Sequence, residues 1–267
     1  MKKKVFFMAL AAIVAFASCD NDVESGSRYL SGYFTIAGDA KQGYTLYQDG
    51  GGIIKPSLQS ITAIAGKDGF GDNERAFLNL SYKAEDIKPT DGGEMIAEAN
   101  VMSGEYMPLH FPLTQKEADD KKVTSRDSTF SVNRISQVWA YRGFLNTLVN
   151  ANVSMKDGKR IAPGMNIVYD PAKITDNKID VTIYYNRHTS KETNAGSAVD
   201  FASTFPLYKM SELIPGKDSV EVTIHIEGAK PQTLKIGRND LTKGNYLPYK
   251  KQASSNYATS KYTTLYY

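Results

Sequence analysis

The chain has 267 residues, with 32 Lys or Arg against 29 Asp or Glu and 11% aromatic residues. Three of the basic residues, Lys2, Lys3 and Lys4, precede Cys19, and without them the formal charge is zero, so no overall positive field draws the chain to nucleic acid or anionic lipid. Cys19 is the single cysteine, which excludes an intramolecular disulfide.

The first element in chain order is a basic start followed by an uncharged run from Val5 to Ala17 and then Ser18-Cys19. A short apolar run between a basic start and small residues describes a secretory signal peptide. The run falls short of the roughly 20 residues that a membrane-spanning helix needs. Phe16-Ala17-Ser18-Cys19 resembles a bacterial lipobox, with Phe16 where Leu is usual. That resemblance implies acylation of the Cys19 thiol and cleavage just before it, and two or more acyl chains make a stable membrane anchor. The alternative is an ordinary signal peptide that leaves a free thiol. Asp20-Asn21-Asp22-Val23-Glu24 then forms an acidic tether, either a solvated spacer or an address for the outer face of the envelope.

Apolar and polar residues next alternate from Tyr29 to Ile36, from Ala76 to Tyr82 and from Met95 to Met102, the period of half-buried strands. Asp49-Gly50-Gly51-Gly52, Lys67-Asp68-Gly69 and Asp91-Gly92-Gly93 supply turns between them. The charged stretch Gln115 to Asp127 interrupts the pattern and suggests a boundary; Gln115 to Lys122 is one of two short helix candidates, the other being Tyr208 to Leu213. Leu145, Thr147, Val149, Ala151 and Val153 share one strand face; Ile179, Val181, Ile183 and Tyr185 share a second; Val220, Val222, Ile224 and Ile226 a third. Gly228-Ala229-Lys230-Pro231 turns the last of these into a return strand carrying Leu234 and Ile236. Short strands, frequent turns and little helix predict an all-β chain built as a barrel or a sandwich. The expected organisation is a signal segment (1–18), a tether (19–27), a first β domain (28–113), a charged linker (114–127), a second β domain (128–247) and a tyrosine-rich tail (248–267).

The lipobox, the acidic tether, a small glycine-rich β domain and a second β domain opening with Asn133-Arg134-Ile135-Ser136-Gln137-Val138-Trp139, continued by Tyr141-Arg142-Gly143-Phe144-Leu145-Asn146, together resemble the NigD-like lipoproteins of Bacteroidota. The resemblance implies a small OB-like barrel followed by a β-sandwich, and it brings no catalytic residues with it. It also suggests an immunity-like role, because the family's namesake belongs to a bacteriocin gene cluster. In that setting the acidic tether reads as a signal for surface display.

The chemistry-bearing residues are sparse. His110, His188 and His225 are the only histidines, and none has metal-ligand spacing with another ligand on one element. His225 falls on the polar face of its strand. Asp68, Asp72 and Glu74 could wrap a calcium ion, although a glycine-bearing surface turn explains them as well. Neither a nucleophile elbow nor a phosphate-cradling loop is present. A carboxylate pair for glycoside hydrolysis cannot be picked out of 29 acids. No catalytic residue, metal or cofactor is therefore expected.

Trp139, Tyr141 and Arg142 are the candidate binding residues, as a patch that stacks on a sugar or anchors a partner; the competing reading places Trp139 in a sandwich core. Ser128 in Asp127-Ser128-Thr129 and Ser219 in Asp218-Ser219-Val220 are candidate O-glycosylation sites. The tail from Tyr249 to Tyr267 is aromatic and basic without acids, the composition of either an edge strand with a mobile end or a contact segment. The resulting expectation is a non-catalytic lipoprotein, anchored through Cys19 in the outer membrane and displayed at the cell surface or facing the periplasm. Its partner is a protein or, alternatively, a surface glycan, and not a nucleic acid.

Overall fold

The computed structural model describes residues 26–49, 51–65, 69–71, 74–90, 93–107, 109–125, 129–156, 159–161, 163–175, 177–186, 195–207, 210, 218–237 and 241. The signal segment, Cys19, Ser128, His188 and the tail lie outside them.

The first unit comprises β1 (Ser27–Asp39), β2 (Gly43–Gln48), β3 (Ile53–Pro56), α1 (Leu58–Ala65), β4 (Glu74–Lys83), β5 (Ile87–Thr90) and β6 (Gly93–Met107). The sheet runs β3-β2-β1-β4-β6-β5, and a parallel pairing of β3 with β6 closes it into a barrel. Alternation decides the inside: Phe34, Ile36, Leu46, Ile54, Ala76, Leu78, Leu80 and Val101 meet in one buried cluster. Such full burial is worth roughly 1.5–3 kcal/mol for a Leu or Ile side chain. Helix α1 is two turns long and buries Ile61 against this cluster. Sequence periodicity missed it, because two turns bury too few residues to show a helical stripe.

The second unit begins with β7 (Leu113–Thr114) and α2 (Gln115–Asp120). Helix α2 opens on a capping box in which the Thr114 hydroxyl accepts from the Glu117 amide and Glu117 reaches back to the Thr114 amide. Within the segment expected as a charged linker, Ala118 is fully buried, and Asn186 Nδ2 donates to the carbonyl of Val123 at 2.8 Å. The stretch therefore packs on the second unit.

There follow β8 (Arg134–Tyr141), β9 (Phe144–Lys156), β10 (Lys159–Arg160), β11 (Gly164–Tyr169), β12 (Lys178–Asn186), β13 (Ala195–Pro206), β14 (Ser219–Ile226) and β15 (Gln232–Gly237). One sheet places β9 between β8 and β13, with β10 also on β9; the other runs β15-β14-β12-β11-β7. The strand faces named from the sequence now meet across the two sheets: Leu145, Val149 and Ala151 pack in one cluster with Ile179, Val181, Ile183, Val220, Val222, Ile224 and Ile236. Thr147 Oγ1 and Tyr185 Oη, 3.2 Å apart, supply the polar link within this core. The chain is all-β, an OB-like barrel followed by packed sheets.

Candidate functional site

The two units join at a seam built from the outer faces of β1 and β4 on the barrel and of β8, β9 and β13 on the second unit. Because Phe34, Ile36 and Ala76 point into the barrel, their neighbours Thr35 and Arg75, paired across β1 and β4, point out of it. Likewise Val138 and Ala140 pack towards the sandwich core. That turns Trp139 to the other side, in register with Asn146 on β9, which is in turn opposite Thr204 on β13.

Arg75 occupies the centre of this seam with no solvent exposure. Its Nη1 donates to Asp49 Oδ1 at 2.6 Å and to Thr35 Oγ1 at 3.0 Å. Its Nη2 donates to Asp49 Oδ2 at 2.5 Å and to Asn146 Oδ1 at 3.0 Å. The bidentate pairing neutralises a guanidinium that could not otherwise be buried. Asp49 Oδ2 also accepts from Trp139 Nε1 at 2.6 Å. The Phe144 ring lies 5.1 Å from the Arg75 guanidinium carbon. Asp49 thus ties barrel to sheet through Trp139, and its ion-pair partner Arg75 does so through Asn146.

Aromatic rings extend the seam. Tyr33 lies 4.9 Å from the Trp139 ring and meets Phe77 edge-on at 5.1 Å. Burial is the main cause that raises the pKa of the Tyr33 hydroxyl, with the Glu105 and Asp49 charges adding to it. At the other end, Arg142 and Gly143 form the two-residue turn between β8 and β9, with φ of 48° and 83°, the left-handed pair that a tight hairpin requires. This turn lays the Arg142 guanidinium 3.8 Å from the centroid of Tyr47 on β2.

The sequence-derived candidates divide clearly. Trp139 and Arg142 come together in the seam, on the barrel side of β8 rather than in the sandwich core. Tyr141, half-buried, ends β8 and pairs with Phe144. Ser219 is the half-buried first residue of β14, far along the chain from these and outside the seam. Of the proposed calcium loop, Asp68 and Asp72 lie outside the described residues, and Glu74 Oε2 accepts from the Gly71 amide at 2.8 Å. Among the described residues no cluster of three or more His, Cys, Asp or Glu is placed to hold a metal. His225 stands on an open sheet face, its Nε2 3.8 Å from Asp180 Oδ1. His110 is held by its backbone against Thr204 and has its ring 5.9 Å from Phe205.

Asp49, Arg75 and Asn146 were not among the candidates. Asp49 reads as turn chemistry ahead of three glycines, and Asn146 as the polar half of an alternating strand. The one available signal was Arg75, a lone cation at the start of the apolar strand Ala76 to Tyr82.

No family model matches the chain, and no curated protein matches it either. Solved structures do. A protein of unknown function from Bacteroides vulgatus aligns over 82% of this chain and 97% of its own, at 15% identity and a TM-score of 0.51. A lipoprotein candidate from Bacteroides fragilis aligns over 79% of this chain and 98% of its own, at 8% identity and a TM-score of 0.51. The chain has the fold of these two proteins. A NigD-like immunity protein from Bacteroides caccae aligns over 79% of this chain and 93% of its own, at 16% identity and a TM-score of 0.49. The barrel-then-sheets layout agrees with the OB-like barrel and following β domain that the family resemblance implied.

Proposed function

We infer that this chain is a lipid-anchored protein of the cell envelope that works without catalysis, as a firmly joined two-unit module that binds another protein. The observation that supports this best is the use of its aromatic rings. OB-like barrels receive oligosaccharides and oligonucleotides on the face around their second and third strands. Here Tyr47 on that face is capped by Arg142, and the ring of Tyr33 beside it lies tilted against Trp139. The second unit thus already engages the Tyr47 ring and one side of Tyr33, leaving less open ring surface for a sugar, which favours a protein partner over a glycan. Sharing a fold with a lipoprotein candidate supports the anchor, and immunity to a protein toxin is one role such a module would fill.

Membrane fractionation and cross-linking in native cells test the reading together. The wild-type protein is expected to fractionate with membranes, Cys19→Ala to become soluble, and cross-linking to recover a defined protein partner. Protease shaving of intact cells then assigns the face: loss of the protein puts it outside, and protection until lysis puts it in the periplasm. A positive glycan array with no protein cross-linked would replace this reading with a glycan-binding one.

A further inference from the structure

Beyond the buried part of the seam, the barrel face carries one more row of side chains that nothing on the second unit covers completely. Tyr33 pairs with Phe77 across β1 and β4, and Phe77 pairs with Glu105 across β4 and β6. Direct cross-strand pairs hold their Cβ atoms about 4.5–5.5 Å apart on one face. Tyr33, Phe77 and Glu105 therefore form a continuous shelf that starts at Trp139 and ends at a carboxylate.

That carboxylate stands apart from every other charge at the seam. Asp49 is consumed by Arg75 and Trp139. Glu105 has no hydrogen bond or ion pair among the described residues, and burial alone accounts for the upward direction of its pKa. Much of the residue is open to solvent, so a ligand can reach it. A carboxylate at the end of an aromatic row, directly opposite Phe77, is complementary to a guanidinium or ammonium, which gains from the charge and from contact with the neighbouring ring. One carboxylate flanked by rings supplies too few oxygens for a calcium ion.

We propose that the Tyr33–Phe77–Glu105 shelf receives an arginine or lysine side chain of the partner protein, with Glu105 as its counter-ion. This rests on the protein-partner reading above and adds the charge that the partner must present. Desolvated charge pairs of this kind contribute to orientation and partner choice.

The chain reports on the site itself, because Trp139 is its only tryptophan and touches Tyr33. The probe is a capped tripeptide of arginine between glycines, free of aromatic residues, titrated into the full chain carrying Cys19→Ala. We expect a saturable change in tryptophan emission that weakens by about tenfold or more in Glu105→Gln and vanishes in Glu105→Lys, as expected for loss or reversal of the counter-charge. An equivalent glutamate peptide should give no response. Both variants should keep the wild-type unfolding midpoint, since the side chain is exposed.

No saturable response to the arginine peptide would overturn the site, as would an unchanged affinity in Glu105→Gln or an equal response to the glutamate peptide. If Glu105→Lys still cross-links the same protein partner as wild type, the shelf assignment fails and the protein-partner reading stands. If neutral oligosaccharides shift the emission and no protein is cross-linked, both fail.

Discussion

Trp139 donates its indole proton to the Asp49 carboxylate at 2.6 Å, across 90 residues of sequence. The same carboxylate neutralises Arg75, which is wholly buried. The ion pair itself lies within the barrel unit, and Trp139 and Asn146 of the second unit complete its hydrogen bonding.

Removing the carboxylate should therefore be severe. Asp49→Ala leaves an uncompensated buried guanidinium, and breaking such a pair costs about 3–5 kcal/mol. Replacing both partners, as Asp49→Leu with Arg75→Met, should recover much of that loss because no charge is left stranded. Urea denaturation of the two variants checks this; equal destabilisation would mean that the pair contributes through shape rather than charge.

Trp139→Phe separates the ring from the hydrogen bond. The phenyl ring retains the ring contact with Tyr33, and only the N–H to a charged acceptor is lost, an interaction worth about 1.5–3 kcal/mol. Asp49 keeps Arg75 as its partner, so the lower end of that range is expected. Trp139→Ala adds a cavity against Tyr33 and should cost about 3–5 kcal/mol. A Phe variant as unstable as the Ala variant would show that the indole N–H, and not the ring, holds the seam.

How far the sequence disclosed this depends on which residues carry the signal. Strands β12 and β14 were legible almost residue for residue, because Ile179 to Tyr185 and Val220 to Ile226 alternate without a break and a one-residue slip would turn every side chain to the wrong face. Trp139 was visible as a residue of interest, but alternation alone offers two faces and cannot say that a barrel covers one of them. Asp49 was hidden for a different reason. A carboxylate before three glycines is explained locally by the turn; its partner Arg75 is brought to it only by the folding of the barrel, and Trp139 only by the packing of one unit on the other.

Acid should weaken the protein through His110. Its Nε2 is buried without a partner among the described residues, and burial lowers its pKa from 6.5 to about 4. The unfolded chain binds this proton more readily than the folded one. The associated stability is therefore complete above pH 6.5 and is lost as pH falls towards 4. A shift of that size corresponds to up to about 3 kcal/mol. Unfolding free energies of wild type and His110→Phe between pH 7 and 4 isolate the effect from the carboxylates, which titrate in both. Wild type should lose stability relative to His110→Phe as pH falls from 6.5 towards 4; a constant difference would place the imidazole in contact with water.

Gly228→Ala tests how the second unit closes at its end. Gly228 has φ of 89°, and an added Cβ would lie 2.3 Å from the Val132 carbonyl oxygen and 2.8 Å from Ser131 Cβ. The turn after β14 is docked there, since the Val132 amide donates to the Glu227 carbonyl at 2.9 Å and Ser131 Oγ donates to Glu227 Oε1 at 3.2 Å. A backbone oxygen cannot swing aside as a flexible side chain can, so the turn must leave its dock or the strand entering β8 must shift. Gly43 provides the control: its φ is 84°, and nothing lies within 4 Å of its Cβ position. Gly43→Ala should cost about 1 kcal/mol for the left-handed backbone alone. Gly228→Ala adds the displaced contact and should cost about 2–4 kcal/mol. Comparing denaturation midpoints of the two variants removes the shared backbone penalty. A matching loss would mean that the turn yields without disturbing residues 131–132, whereas a larger loss for Gly228→Ala shows that the hairpin of β14 and β15 is held to the opposite sheet at this point.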